Sequence, residues 1–373
     1  MSPKELRWGI LATGKISTNF SKDILTDPST RGVSDVSHRI AAVGSRNVES
    51  AQAFVDKLHK LDAPFDWGAK QGKLDGCKVY GSYDGVYNDP NVDAIYIGTP
   101  HVAHFDNAKS ALSAGKHVLC EKPFVMKLEE LDELIALAKK HNVFLMEAVW
   151  TRFQPIAYAV QEVLFSGKLG KVKRVEADFS IDFKPDGLPD SHRMIDPTLG
   201  GGSLLDLGPY PSVWAMLTLF QHPDNHRTPP NILFTHQTPY ARSGVDLNSR
   251  WLLEFPGLGG VQALLTTDMG VTGGGERGAV IVCEEGDIAI EWGLSNPSRF
   301  WITPHTGKRM GLITSKTEHH HPVQGNSGMA YEADEVARCV RDGKTESERM
   351  RWEESRIVQG WFDRVRGDAA GKK

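Results

Sequence analysis

The chain has 373 residues, of which 40% are hydrophobic and 24% charged, and a formal net charge of −4. That length exceeds one ordinary domain, so two are expected. The weak negative charge and the lack of a basic stripe exclude a nucleic-acid binder, and no apolar run approaches the roughly 20 residues that span a bilayer.

Met1 to Arg7 runs into a strand pattern with no signal-peptide apolar core, so the cytoplasm is the expected compartment. Residues 1–150 alternate short apolar runs with helical periodicity, the pattern of βαβ units around a parallel sheet. Strands are expected at 6–11, 39–45, 94–98, 117–120 and 143–146, and helices at 16–25, 48–58, 102–114 and 128–141. Residues 62–78, with Pro64, Gly68, Gly72 and Gly76, break both periods and read as an inserted surface loop. The four cysteines (Cys77, Cys120, Cys283, Cys339) are scattered without a CxxC pair and read as reduced thiols.

After Trp150 the character changes. A helix at 156–165 leads to a strand at 171–181, a Pro/Gly/Asp-rich loop at 183–202 and a helix at 204–220. Strand-like runs follow at 232–237, 249–255, 261–267, 279–284, 288–292 and 299–304, which without intervening helices imply a largely antiparallel sheet. Residues 318–322 read as a loop, helices at 329–342 and 353–366 close the chain, and 367–373 form a frayed tail. The expected architecture is α/β, with an N-terminal Rossmann domain over 1–150 and a second, α+β domain over 151–373 built on a large, mostly antiparallel open sheet.

The first strand runs into Ala12-Thr13-Gly14-Lys15-Ile16-Ser17 and then a helix. Against the dinucleotide fingerprint G-x-G-x-x-G/A, only the central Gly14 is kept, and Ala12 and Ser17 replace the outer glycines. The middle position is the most demanding, because backbone must approach the pyrophosphate there. Thr13, Gly14, Lys15 and Ile16 would then offer a helix N-terminus to the anion. A capped strand-to-helix turn is the alternative on this motif alone. At the end of the second strand, Ser45-Arg46-Asn47 precedes the first carboxylate, Glu49. An NAD-specific site places an acid there and an NADP site an arginine. Arg46 has the fork of donors that clamps a 2′-phosphate, with Ser45 and Asn47 assisting, so NADP is the expected cofactor.

Three further groups carry chemistry. Strand 117–120 ends in Glu121-Lys122-Pro123, which places an ammonium at the crevice where Rossmann ligands bind. Such a group stabilises a developing alkoxide, and a plain surface lysine is the alternative. Gly98-Thr99-Pro100 and His104 occupy the same position one crossover earlier, within reach of cofactor or substrate, although His104 also suits a polar helix start. Gly200-Gly201-Gly202 leads to Asp206 and Tyr210, four residues apart and hence on one helix face. A cation such as Lys122 would favour the ionised phenol, making Lys122 and Tyr210 an acid–base pair; a capping Asp and an interfacial Tyr are the bland alternative.

In this order, Trp8–Gly14, Gly98–Pro100, Glu121–Pro123 and Gly200–Tyr210 resemble the glucose–fructose oxidoreductase/inositol dehydrogenase (Gfo/Idh/MocA) family. The stretch Met146-Glu147-Ala148-Val149-Trp150-Thr151-Arg152-Phe153 looks like its dihydrodiol dehydrogenase and NADP-dependent D-xylose 1-dehydrogenase branch. The resemblance implies Lys122, Tyr210 and Asp206 as catalytic residues, with Asp206 bonding a substrate hydroxyl or orienting Tyr210. It implies Glu121 and Lys122 beside the cofactor, together with Thr99, Pro100 and His104. His104, Trp150, Arg152 and Phe179 would line the substrate pocket. It further implies oxidation of a cyclic sugar at its C1 hydroxyl or of a vicinal dihydrodiol, sugar-ketone reduction being the reverse chemistry. A homodimer through the exposed face of the second sheet is also implied. A non-catalytic, cofactor-sensing regulator is a rival from another class, disfavoured by the joint presence of Lys122 and Tyr210. A metal hydrolase built on His101, His104 and 319–321 is a second; three consecutive histidines cannot converge on one ion, and no metal is expected.

Overall fold

The computed structural model describes residues 4–61, 74–305, 315–324 and 327–371. It divides into two compact units, Met1–Trp150 with Val323–Arg356, and Thr151–Pro322 with Ile357–Lys373.

In the first unit the short apolar runs become β1 (Lys4–Leu11), β2 (Val36–Gly44), β3 (Lys78–Tyr80), β4 (Ala94–Ile97), β5 (His117–Glu121) and β6 (Leu145–Ala148). They form one parallel sheet in the order β3-β2-β1-β4-β5-β6. Between them run α1 (Lys15–Leu25), α2 (Val48–Leu61), α3 (Tyr83–Tyr87), α4 (His104–Ser113) and α5 (Leu128–His141). Ile95, Tyr96 and Ile97 have no exposed surface, which is why this strand reads as an unbroken apolar run: a parallel sheet covered on both faces has no polar side. In register, Leu11 lies opposite both Gly44 and Ile97, Ile97 opposite Cys120, and Glu121 opposite Ala148. The carboxyl ends of β1, β2, β4 and β5 are therefore level at one edge. The strand order reverses between β1 and β4, the position where such sheets bind ligands.

Of the inserted loop expected at 62–78, residues 62–73 lie outside the described residues, and Lys78–Tyr80 pair with β2 as an edge strand. Three residues are too few to show a period of two.

The second unit contains α6 (Pro155–Phe165), β7 (Val172–Ser180), α7 (Ser203–Leu207) and α8 (Pro209–Ala215). These are followed by β8 (Asn231–Pro239), β9 (Asp246–Phe255), β10 (Val261–Asp268), β11 (Arg277–Cys283), β12 (Gly286–Glu291), β13 (Arg299–Pro304) and β14 (Thr317–His320). Their sheet runs β14-β13-β12-β11-β7-β10-β9-β8, parallel at β7–β10 and antiparallel elsewhere. Along β10, Val261, Ala263, Leu265 and Thr267 are buried while Gln262, Leu264, Thr266 and Asp268 look outward. Helices α7 and α8 pack on the buried face of β7, β9 and β10.

The single helix expected at 204–220 is broken into α7, α8 and a π turn at Met216–Phe220, because Pro209 and Pro211 bring no N–H to the ladder. Gly208 between them keeps right-handed helical angles, φ −57° and ψ −30°, so Asp206 and Tyr210 remain one turn apart on a common face. The loop expected at 318–322 is instead an edge strand through His320, whose neighbours His319 and His321 stack on Phe300 at 4.7 and 5.7 Å.

The chain then returns to the first unit. Helix α9 (Ala330–Arg341) packs on β1, β2 and α1. Its Asp334 is buried, accepts from Arg31 Nε and Nη2 at 2.7 Å each, and bonds His38 Nε2 at 2.8 Å. The Trp8 indole donates to His38 Nδ1, which fixes the His38 proton on Nε2, facing the carboxylate. Residues 323–356 thus lie with the first unit and not with the second domain expected over 151–373. Helix α10 (Trp352–Ala370) closes the chain and runs four residues into the expected frayed tail, of which 372–373 lie outside the described residues.

Candidate active site

The residues singled out by the sequence fall on both units. In the first, Ala12 holds a left-handed backbone at φ +69°, the conformation that the first glycine of the fingerprint normally supplies, and its N–H donates to Gly44 O. Gly14 caps α1 without any side-chain cap, and the first turn carries no acid, so those N–H groups suit an anion. A Cβ on Gly14 would meet nothing within 4 Å. Thr13 is half-buried, Lys15 exposed and Ile16 half-buried at the same turn. Ser17 is fully buried, and a Cβ on Gly98 would collide with its hydroxyl. Ser17 in place of the last fingerprint glycine is thus accommodated by the glycine that follows β4.

At the end of β2, Ser45 is buried and Arg46 exposed, with no hydrogen-bond or ion-pair partner among the described residues. Asn47 accepts from Ser50 N at 2.8 Å and so caps α2, which leaves its NH₂ as the group for any further partner. The donor set fits a dinucleotide with an extra phosphate: an uncapped helix start, an outward guanidinium and no carboxylate before Glu49.

At the end of β5, Glu121 is buried, accepting from the Tyr96 hydroxyl at 2.6 Å and from Lys122 N at 3.3 Å. Lys122 is half-buried, and its peptide bond to Pro123 is cis. Thr99 is buried, with its hydroxyl accepting from Asn107, whereas Pro100 is exposed. His104, expected to line the pocket, has no exposed surface; its Nδ1 lies 2.8 Å from Pro123 O and its Nε2 2.9 Å from Thr99 O. Burial pulls its pKa below the ordinary histidine value, against the carbonyl bonds that favour the charged ring. It ties the loop after β4 to the loop carrying Lys122 and presents nothing to a ligand. Trp150 is half-buried.

In the second unit, Asp206 and Tyr210 are nearly buried, and the Tyr210 ring packs edge-on against Phe179 at 5.0 Å. Phe179 is itself buried and close to Trp292, at 6.3 Å. Arg152, also expected at the pocket, is among the largest fully buried side chains of the protein and presents no surface to a substrate.

Two residues that the sequence did not point to organise this part. Arg193 donates to both oxygens of Asp206, at 2.8 and 3.2 Å. Burial works against its charge, but the Asp206 carboxylate prevails and raises its pKa. Asp246, from β9, caps α7 by accepting from Leu204 N at 2.8 Å and from the hydroxyls of Ser203 and Ser249 at 2.7 and 2.9 Å. Burial raises its pKa, and these bonds restrain the shift. A Cβ on Gly202 would strike that carboxylate, which together with φ +110° accounts for the last glycine of the run. Neither residue has a local signature: Arg193 sits in an aperiodic loop, and Asp246 caps a helix that begins 43 residues before it.

Among the described residues no helix is long and apolar enough to cross a membrane, and no group of three His, Cys, Asp or Glu side chains converges to hold a metal.

Residues 6–149 match the family described as an oxidoreductase family with an NAD-binding Rossmann fold, and residues 158–289 match the GFO/IDH/MocA C-terminal domain. The NADP(+)-dependent D-xylose 1-dehydrogenase of Hypocrea jecorina is 35% identical over 96% of this chain and 90% of its own. The trans-1,2-dihydrobenzene-1,2-diol dehydrogenase of Danio rerio is 33% identical over 97% and 96%. A 3-ketoreductase from Actinomadura kijaniata, crystallised with NADP and TDP-benzene, superimposes with a TM-score of 0.76 at 22% identity, covering 98% of both chains. Two units built on these two sheets, and family matches over both, make this chain a member of the GFO/IDH/MocA oxidoreductase family.

Proposed function

We propose that the protein is an NADP-dependent dehydrogenase that oxidises a cyclic sugar, D-xylose or a related aldose, at its C1 hydroxyl to the lactone. The observation that carries the cofactor is Arg46, exposed at the end of β2 with no carboxylate before Glu49. The 35% identity to an NADP(+)-dependent D-xylose 1-dehydrogenase supports the substrate. On this reading residues 1–150 bind the dinucleotide and the second domain binds substrate.

Bound NADP⁺ would supply the hydride acceptor. Thr13, Gly14, Lys15 and Ile16 would hold its pyrophosphate on the α1 N-terminus, and Arg46, Ser45 and the Asn47 amide its 2′-phosphate. Thr99, Pro100 and Glu121 would flank it. Tyr210 would take the proton of the substrate hydroxyl, the Lys122 ammonium would bond the same oxygen as negative charge grows there, and Asp206 would accept from a further hydroxyl. Phe179 and Trp150 would give apolar faces to a sugar ring.

The test is incubation with NADP⁺ or NAD⁺ and a panel of aldoses and vicinal diols while NADPH or NADH absorbance is followed. Turnover of D-xylose with NADP⁺ preferred is the expected result. The zebrafish relative supports a second reading, a vicinal diol as substrate, which the same panel separates. We also propose a cytoplasmic homodimer joined through the outward face of the second sheet. There Leu264 is 41% exposed and lies in register between Leu252 and Glu176.

A further inference from the structure

The backbone that carries Lys122 is held at three successive residues. Lys122 N donates to Glu121 at 3.3 Å, Pro123 O lies 2.8 Å from His104 Nδ1, and Phe124 N donates to Glu147 at 3.2 Å. Glu147 comes from β6 and also accepts from the Ser355 hydroxyl at 2.8 Å. Two of these bonds pair an N–H with a carboxylate, and their direction is fixed. The direction of the His104 bond depends on where the ring keeps its proton.

His104 opens α4 with no exposed surface, and both ring nitrogens face carbonyl oxygens, Nδ1 that of Pro123 and Nε2 that of Thr99 at 2.9 Å. A carbonyl only accepts, whereas a neutral imidazole has a single N–H. Burial and the Lys122 ammonium both work against the doubly protonated ring. The neutral ring therefore secures one loop, and the carbonyl of the other meets a lone pair. The shorter contact is the one to Pro123, and the Phe124 backbone also favours a proton on the ring. Two residues of the lysine loop thus compete for the proton with one residue of the loop after β4.

We propose that His104 is a positioning residue for Lys122: it carries its proton on Nδ1, donates to Pro123 O, and so fixes the loop from which the ammonium reaches the reacting oxygen. This deepens the dehydrogenase reading and rests on it. His104 acts through the backbone next to Lys122, without touching cofactor or substrate.

The test uses the full-length enzyme with NADP⁺ and a substrate that the wild type oxidises. The amide nitrogen of an asparagine falls near the place of Nδ1 and that of a glutamine near the place of Nε2, so each variant keeps one of the two bonds. His104→Gln, which serves Thr99 and abandons Pro123, should lower kcat on the order of 10²-fold, the loss that a displacement of about 1 Å causes at a reacting group. Its KM for NADP⁺ should stay within about twofold of wild type, because the loss lies in positioning and not in cofactor binding. His104→Asn should keep kcat within about threefold of wild type, since the bond to Pro123 survives. A mere loss of packing would harm both variants alike, as both leave part of the ring's volume unfilled. In the wild type, ring nitrogen chemical shifts of His104, assigned by the signals missing from the His104→Asn spectrum, should show a protonated Nδ1 and a bare Nε2. The opposite tautomer, equal kcat in the two variants, a larger loss in His104→Asn, or failure of both to fold overturns the proposal and leaves the dehydrogenase reading intact. A wild type that oxidises no member of the sugar and diol panel overturns both.

Discussion

The proposed function gives two cations in the first unit separable jobs, and single substitutions distinguish them. Lys122 closes β5 beside the buried Glu121, whereas Arg46 stands exposed at the end of β2. Lys122→Met is expected to lower kcat on the order of 10³-fold, within the range for a group that moves or stabilises a proton, with NADPH affinity kept. A fluorescence titration beside steady-state kinetics checks this, and loss of cofactor binding with normal kcat would contradict it. Arg46→Glu should weaken NADP by about 10- to 100-fold and favour NAD, since a charged bidentate contact becomes a repulsion. A ratio of NADP to NAD efficiency equal to that of the wild type is the contrary result. At this scale the sequence was informative for side chains next to a strand end or on a helix face. Lys122 follows β5, and Asp206 and Tyr210 share a face because Gly208 stays helical. It misled for His104, because a polar side chain near a ligand loop has the same signature whether it faces a ligand or is buried among carbonyls, and the resemblance misled for Arg152, which is buried. Arg193 was invisible for a different reason: its partner lies across a loop, and an ion pair leaves no period.

Helix α9 is held to β1 and β2 by Asp334, whose buried carboxylate serves both Arg31 and His38. Burial alone would raise its pKa, but the bonds from Arg31 and His38 prevail and hold it below the ordinary aspartate value. A depressed pKa means that the stabilisation is complete above the unfolded value and disappears as pH falls through the folded one. Asp334→Asn should therefore cost about 3–5 kcal/mol at neutral pH, where it leaves a buried guanidinium without its counter-charge. Urea midpoints of variant and wild type should draw together as the pH falls below the ordinary aspartate range. A gap that is the same at neutral and acid pH would refute this account. Elements with a full period were readable from the sequence, as with α5 at Leu128–His141. Those without one were not: β3 has three residues, β14 is an exposed edge strand, and Pro209 and Pro211 divide a stretch whose apolar pattern is continuous.

Among the described residues α7 and α8 pack on the buried face of β7, β9 and β10, and alternation along β10 leaves Leu264 on the other. If that face joins two copies, Leu264→Lys places a charge within an interface core and should shift the protein toward monomer in light scattering. A monomeric wild type, or a variant that remains dimeric, would remove the proposal. The two-sheet architecture was legible from the switch between closely spaced βα units and successive strands after Trp150. The homing of 323–356 to the first unit was not, because membership of a unit is decided by contacts distant in sequence. That return has a consequence for biosynthesis. When the ribosome has completed the sixth parallel strand, Arg31 and His38 already exist but the carboxylate that pairs with them is nearly two hundred residues away. The first unit cannot finish folding until α9 has emerged, so residues 1–150 are not an autonomous module that truncation or gene fusion can lift out intact.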